Sequence, residues 1–192
     1  MEINWDKTKE LVFWRPNIRQ ALLPDSMLNI EQVQEARLLG VEISGKFNFT
    51  SHVNYVLTVC AQRCYILKVL RQQGLPLHQL HIVYCALIVN IINYALPAWS
   101  GFLTAGLIKR LNAMLKKCHS RGFSEHLDTV QKIMEQADNK LFRSLQNPGH
   151  CAHYLLPPLK PLVRARRRRL HNYELPVCKL NLHKNSFICR HL

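Results

Sequence analysis

With 192 residues, 48% of them apolar, the chain is long enough to bury one domain with a real core, or one domain plus a tail, and a folded body is expected rather than a disordered polymer. Lys and Arg outnumber Asp and Glu by 26 to 12, and the net charge of +14 selects polyanions, nucleic acid or anionic lipid, without choosing between them. Met1 leads into charged Glu2, Asp6 and Lys7 rather than a signal-peptide pattern, so the seven cysteines, an odd number spread over helical faces, read as reduced thiols of an intracellular protein.

The first elements are extended. Glu10 to Trp14 is a β-branched and aromatic run that predicts a strand ended by Pro16. Gln20 to Asn29 reads as a loop carrying Pro24-Asp25-Ser26. Val33 to Ser44 predicts a second, more apolar strand. Two strands alone make a marginal sheet, so this piece is either the edge of a larger domain or a pair of strands packed on helices.

Ser51 to Trp99 is the stretch around which the chain is organised. In its first half Val53, Val56, Leu57, Cys60, Cys64, Leu67 and Leu70 fall at steps of three and four, one side of an α-helix. Asn54, Thr58, Gln62, Arg63 and Arg71 point the other way. Thr50 or Ser51 suits the N-cap, and Gly74 suits the left-handed residue beyond the C-terminus. Pro76 fits the first turn of a second helix that Pro97 stops. Leu77, Leu80, Ile82, Val83, Tyr84, Leu87, Ile88, Val89, Ile91, Ile92 and Tyr94 leave it almost no polar face, which predicts a helix wrapped on most sides by protein. Ile82 to Ala98 carries no charge, but a membrane span needs roughly 20 apolar residues and this run is interrupted by Asn90 and Asn93 and closed by Pro97. A buried core helix is the favoured reading, an interfacial segment the alternative.

A third helix is expected from about Thr104 to Arg121. Leu107, Ile108, Leu111, Leu115 and Cys118 form its inward stripe, and Lys109, Arg110, Lys116, Lys117 and Arg121 its outer face. A charged face is solvated by default. Here Asp and Glu are absent from Phe102 to Ser124, so no intrahelical pair neutralises the five cations, and phosphate contact stands beside the solvated reading. Ser124 suits the cap of a short fourth helix with Leu127, Val130, Ile133 and Met134 inward, followed by a turn around Leu141, Phe142 and Leu145 that runs to Asn147-Pro148-Gly149.

Beyond this point periodicity fails. Pro157-Pro158-Leu159-Lys160-Pro161 reads as an extended linker, and the 43 residues from His150 carry nine cations against the single acid Glu174. Arg164, Arg166, Arg167, Arg168 and Arg169 form a block suited to polyanion contact, a nuclear import signal or a solvated run. A largely flexible tail is expected. Cys178, His183, Cys189 and His191 invite a zinc reading, with His150, Cys151 and His153 as further donors. No CxxC pair exists and the spacings match no common closed site, so the sequence assigns no metal. Cys60 and Cys64, one turn apart, read as small apolar core residues. No Gly-rich phosphate loop and no local nucleophile signature appears.

Several segments, in this order, resemble the C-terminal end of a reverse transcriptase from a non-LTR (LINE-type, jockey-like) retrotransposon. They are Asn4 to Lys9, Leu39-Gly40-Val41, Ser51-His52-Val53, Gln62 to Arg71 and above all Tyr94-Ala95-Leu96-Pro97-Ala98-Trp99-Ser100-Gly101. His171 to Pro176 and Asn185 to Arg190 resemble the segment that follows the thumb in such elements. In that family a right-hand polymerase holds metal-binding aspartates, two of them adjacent, just upstream of an Asn-x-x-Lys-Thr element, here Asn4 to Thr8. The aspartates of this chain are Asp6, Asp25, Asp128 and Asp138, and no two are neighbours. Two-metal phosphoryl transfer needs convergent carboxylates.

The resemblance therefore implies a truncated RNA-directed DNA polymerase that is not an enzyme as it stands and binds Mg²⁺ only in its full-length form. It implies a mainly α fold with a small β element: residues 1–46 as the end of a palm, 47–122 as a thumb-like three-helix bundle, 123–149 as short helices and 150–192 as a basic tail. By the same resemblance Lys7 lies near an incoming nucleotide, although an exposed lysine entering an edge strand is an equally good reading. The implied partners are RNA or an RNA/DNA duplex, gripped through phosphates, and an upstream polymerase portion, with no membrane, and with the nucleus as destination and the cytoplasm as the alternative. Two alternatives stand beside it. One is a helical interaction module that docks a protein on the apolar face of residues 53–70. The other is a slight likeness of Leu70-Arg71-x-x-Gly74 to the N-terminal segment of AlkB-type tRNA-modifying enzymes, without the His-x-Asp…His iron site and so without oxidoreductase or methyltransferase activity.

Overall fold

The computed structural model describes residues 4–14, 24–27, 30–160 and 173–192. The fold is mainly helical with two small two-stranded sheets. Strand β1 (Lys9–Leu11) pairs in parallel with β2 (Glu31–Val33), and β3 (Glu35–Leu38) pairs antiparallel with β4 (Val41–Ser44). The single strand expected over Val33 to Ser44 is thus parts of three strands, because the chain bends at Gln34 and turns at Leu39 and Gly40 with φ of 47° and 85°. Both central residues of a tight hairpin turn of this hand need positive φ, which Gly supplies freely and Leu does not.

Helix α1 (Thr50–Gln72) is central, and its predicted inward residues Val53, Val56, Cys60, Cys64 and Leu67 are all buried. Neither candidate cap is used in the expected way: Phe49 occupies the N-cap without a side-chain bond, and the Ser51 hydroxyl donates to the Glu35 carboxylate at 2.8 Å, tying α1 to β3. At its end Gly74, at φ 85°, donates to the Arg71 carbonyl and Leu75 donates to that of Leu70. This pair of bonds is the Schellman closure. Helix α5 (Ala105–Ser120) ends likewise, with Gly122 at φ 67° and Phe123 bonding back to the Cys118 carbonyl.

The second helix departs most from expectation. It comprises α2 (Leu77–Tyr84), a π-helical turn at Cys85–Val89 and α3 (Asn90–Asn93). Arg63 of α1, predicted to face outward, donates to the Leu87 carbonyl of the π turn at 3.1 Å. The run breaks at Ala95, at φ 50°, and Pro97 opens a new short helix, α4 (Leu96–Trp99), instead of ending the old one. Proline is at home in a first helical turn, where its missing N–H has no partner to lose. Leu80, Tyr84, Ile88 and Ile92 line the core, but Leu77, Ile82 and Tyr94 are exposed. By length and composition Leu77–Phe102 is one run long and apolar enough to cross a membrane, and only 28% of its most apolar window is buried. The expectation of a helix wrapped on most sides does not hold.

Helix α6 (Val130–Leu145) is continuous where a short helix and a separate turn were expected. Its cap is Thr129, whose hydroxyl accepts from the Lys132 N–H at 3.3 Å, and not Ser124, whose hydroxyl bonds the His126 carbonyl. Leu127, expected inward, is exposed as a result. Asn112 of α5 accepts from the Val130 N–H at 2.8 Å and donates to Gln131 at 3.1 Å, which fixes where α6 starts.

The strands do pack on the helices. Phe47 meets Phe13, Phe49 and Phe102 edge to face, the tightest pair, Phe47 and Phe102, with ring centres 4.8 Å apart, and Phe49 stacks on Phe102. The Tyr94 hydroxyl donates to the Leu39 carbonyl at 2.8 Å, pinning the hairpin tip to the end of the second helical run.

Within the tail that was expected to be flexible, the described residues 150–160 and 173–192 carry structure. Leu159 bridges to Tyr173, and two short helices, α7 (Asn181–Asn185) and α8 (Phe187–His191), lie against the body. Arg190 holds them there. Its guanidinium donates to both carboxylate oxygens of buried Asp138 on α6 at 2.8 and 2.9 Å, to the Ser100 hydroxyl at 3.2 Å and to the Asn185 carbonyl at 3.0 Å. A side chain at Gly101 would run into Arg190 and the Asn185 carbonyl, so only glycine lets the two segments approach. The most diagnostic part of the retrotransposon resemblance, Tyr94 to Gly101, thus has a packing role: Trp99 is fully buried, its indole N–H donates to the Tyr94 carbonyl at 3.0 Å, and Ser100 and Gly101 receive Arg190.

Candidate nucleic-acid interface

Helix α5 turns Leu107, Leu111, Leu115 and Cys118 into the core and leaves Lys109, Arg110, Lys116, Lys117 and Arg121 exposed. At 3.6 residues per turn the five cations fall in two neighbouring rows, Lys109 with Lys116 and Arg110 with Lys117 and Arg121. Among the described residues none of the five is in an ion pair; the pairs present are Lys9–Glu31, His78–Glu125, Lys132–Asp128 and Arg190–Asp138. An uncompensated cationic ridge about as long as α5 is the result.

The second row does not stop at the edge of its helix. Where the C-terminal ends of α1 and α5 meet, a groove of about 640 Å³ is lined by Tyr65, Lys68, Arg71 and Arg121 over a floor that includes Cys64 and Phe123. The Arg71 guanidinium also bonds the Arg121 carbonyl, placing positive charge where the C-terminal carbonyls of α5 converge. The Cys118 thiol lies 3.4 Å from the Cys64 sulfur. That hydrogen bond, with Arg121 and Lys117 nearby, holds Cys64 below the ordinary thiol range, and the same bond together with burial pushes Cys118 up. The cations above the groove therefore reach into its floor.

Tyr65, Lys68 and Arg71 were not singled out as a site from the sequence, although they recur every third residue on the outward side of α1. Tyr65 is 68% exposed, an unusual state for a large aromatic ring in a helix centre. That exposure, together with two cations at helical spacing, is the signal that was available.

Lys7 is exposed in a 3₁₀ turn over Trp5–Lys7. Asn4 caps this turn by accepting from the Lys7 N–H at 3.1 Å, and the Thr8 hydroxyl donates to the Asn4 carbonyl at 2.8 Å. Asn and Thr of the Asn-x-x-Lys-Thr element thus shape the chain entering β1, and Lys7 is free to project. Arg164 and Arg166 to Arg169 lie outside the described residues. The apolar face of residues 53–70 is covered by the protein's own core, which removes the docking surface that the interaction-module reading required. Leu70, Arg71 and Gly74, the basis of the AlkB likeness, serve the end of α1.

Among the described residues, no three carboxylates converge; the one cluster with metal-ligand proximity is Cys178, His183 and Cys189. His191 packs instead on Phe142, with ring centres 4.4 Å apart. No family model, curated protein or solved structure matches the chain.

Proposed function

We propose that this chain is the palm-edge and thumb portion of a non-LTR retrotransposon reverse transcriptase, and that it binds RNA or an RNA/DNA duplex by the sugar–phosphate backbone without catalysing polymerisation by itself. The observation that carries the reading is the exposed ridge Lys109, Arg110, Lys116, Lys117 and Arg121, continued by Lys68 and Arg71, with none of the seven in an ion pair among the described residues. Phosphate contacts position a duplex and carry no base information, so binding follows charge and shape rather than sequence. Tyr65 beside the groove offers a ring on which an unpaired base at a duplex end can stack. The basic block at Arg164 to Arg169 adds further polyanion contact and suits a nuclear protein.

Anisotropy titrations with two RNA/DNA duplexes of unrelated sequence test this. Expected are equal affinities for the two and a linear fall of log affinity with log salt. In Lys116→Ala/Lys117→Ala/Arg121→Ala the salt slope is expected to drop by about three, close to one per phosphate contact removed. Salt-indifferent binding, or a triple variant that binds like the parent, overturns the proposal.

A further inference from the structure

The geometry points to a divalent-metal site formed by Cys178, His183 and Cys189, which takes a thiophilic ion such as Zn²⁺ and staples the segment before α7 to α7 and α8. The donor atoms of these three residues all lie within 4.8 Å of one another. A tetrahedral ion with bonds of about 2.3 Å to sulfur and about 2.0–2.1 Å to nitrogen sets its ligand atoms roughly 3.5–3.8 Å apart, so small rotations of side chains close the site. His183, on α7, is exposed and both cysteines are half-buried, which leaves the fourth position open to water.

Donor chemistry narrows the ion. Two thiolates and an imidazole suit Zn²⁺ and not Mg²⁺ or Ca²⁺, which take oxygen. On binding, the two thiols release their protons to solvent and two S–metal bonds form, so the loaded site has no net charge. Lys179 and Lys184 nearby therefore do not oppose the loaded state.

The segment has need of such a staple. Helices α7 and α8 are five residues each, far below the length at which a helix holds itself together in water. Leu175, Val177, Leu180 and Leu182 are all more than half exposed, so apolar packing around Cys178 is thin. Sequence spacing alone hid the site, because four residues separate Cys178 from His183 and five separate His183 from Cys189, and only the bend at Ser186 between the two helices brings Cys189 back.

The test is a Co²⁺ titration of the reduced, chelator-stripped full chain. Expected are one equivalent bound, a thiolate-to-cobalt charge-transfer band with tetrahedral d–d bands, and displacement of both by Zn²⁺. Cys178→Ser and Cys189→Ser each lose the charge-transfer intensity, and His183→Ala weakens binding by more than the roughly 10–100-fold that loss of an outer hydrogen-bond partner costs. Cys151→Ser, at an exposed cysteine outside the cluster, keeps the bands and serves with circular dichroism as the folding control. Absence of a band in the folded parent, or a band that survives both serine variants, overturns the assignment.

Discussion

Leu39 illustrates how a single residue can be out of keeping with its backbone. It is 83% exposed, holds φ at 47°, and contributes to the fold through its carbonyl, which accepts from Tyr94. A branched side chain in the left-handed region costs about 1–2 kcal/mol, and Asn tolerates that region far better. Leu39→Asn is therefore expected to raise stability by about 1 kcal/mol, read as a higher urea midpoint with unchanged slope. The same position explains a misreading: Leu-Gly inside an apolar run carries none of the usual turn chemistry, so a hairpin reads as one strand. Asp138 was legible in part. Val130, Met134, Asp138 and Phe142 are spaced by four along one face of α6, and an acid in such a row calls for a cation. Which cation could not be read, since Arg190 lies 52 residues away.

Among the elements, α1 and α5 were readable from their periodicity, and α1 ends at Gly74, the glycine expected there, while the matching role of Gly122 after α5 is seen only in the structure. The second helical run was not readable, because its break depends on a left-handed Ala95 and a π turn bonded by Arg63, neither of which leaves a mark on composition. At the junction of α1 with the hairpin sits His52, buried against Trp99 with ring centres 4.9 Å apart, its Nδ1 accepting from the Glu42 N–H at 3.4 Å. Burial, and then the charge of Arg37, hold its pKa below the ordinary 6.5. The unfolded chain thus takes up this proton more readily than the folded one. Stability from this group is complete above pH 6.5 and is lost as pH falls below that value toward the depressed folded-state pKa. Urea midpoints measured from pH 7.5 to 5.5 are expected to fall in the parent, and His52→Phe is expected to flatten that part of the profile.

For the whole molecule, charge and cohesion divide between different faces. The cationic ridge of α5 and the groove beside it are left open, while the acid on α6 is covered by the C-terminal helices. Composition announced the first of these, since a stretch with five cations and no acid is visible in the bare sequence. The second depends on a fold-back that polar, proline-interrupted sequence does not advertise. Removing one partner from a buried ion pair costs about 3–5 kcal/mol. Because the Arg190 side chain keeps 21% of its exposure, Arg190→Ala is expected at the lower end, about 3 kcal/mol. Gly101→Ala reaches the same outcome sterically. In both variants limited proteolysis is expected to cut within residues 173–192 while helical circular dichroism from α1, α5 and α6 persists; an uncut tail in both would show that Arg190 is not what holds it.

The separation of Asp138 from Arg190 also has a consequence in time. At about 5–20 residues per second, a ribosome that has just added the carboxylate needs roughly 3–10 s to reach its guanidinium. Through that interval the nascent polypeptide carries α6 with an acid that cannot be entombed without a counterion, so the last docking step waits on translation rather than on diffusion of the chain.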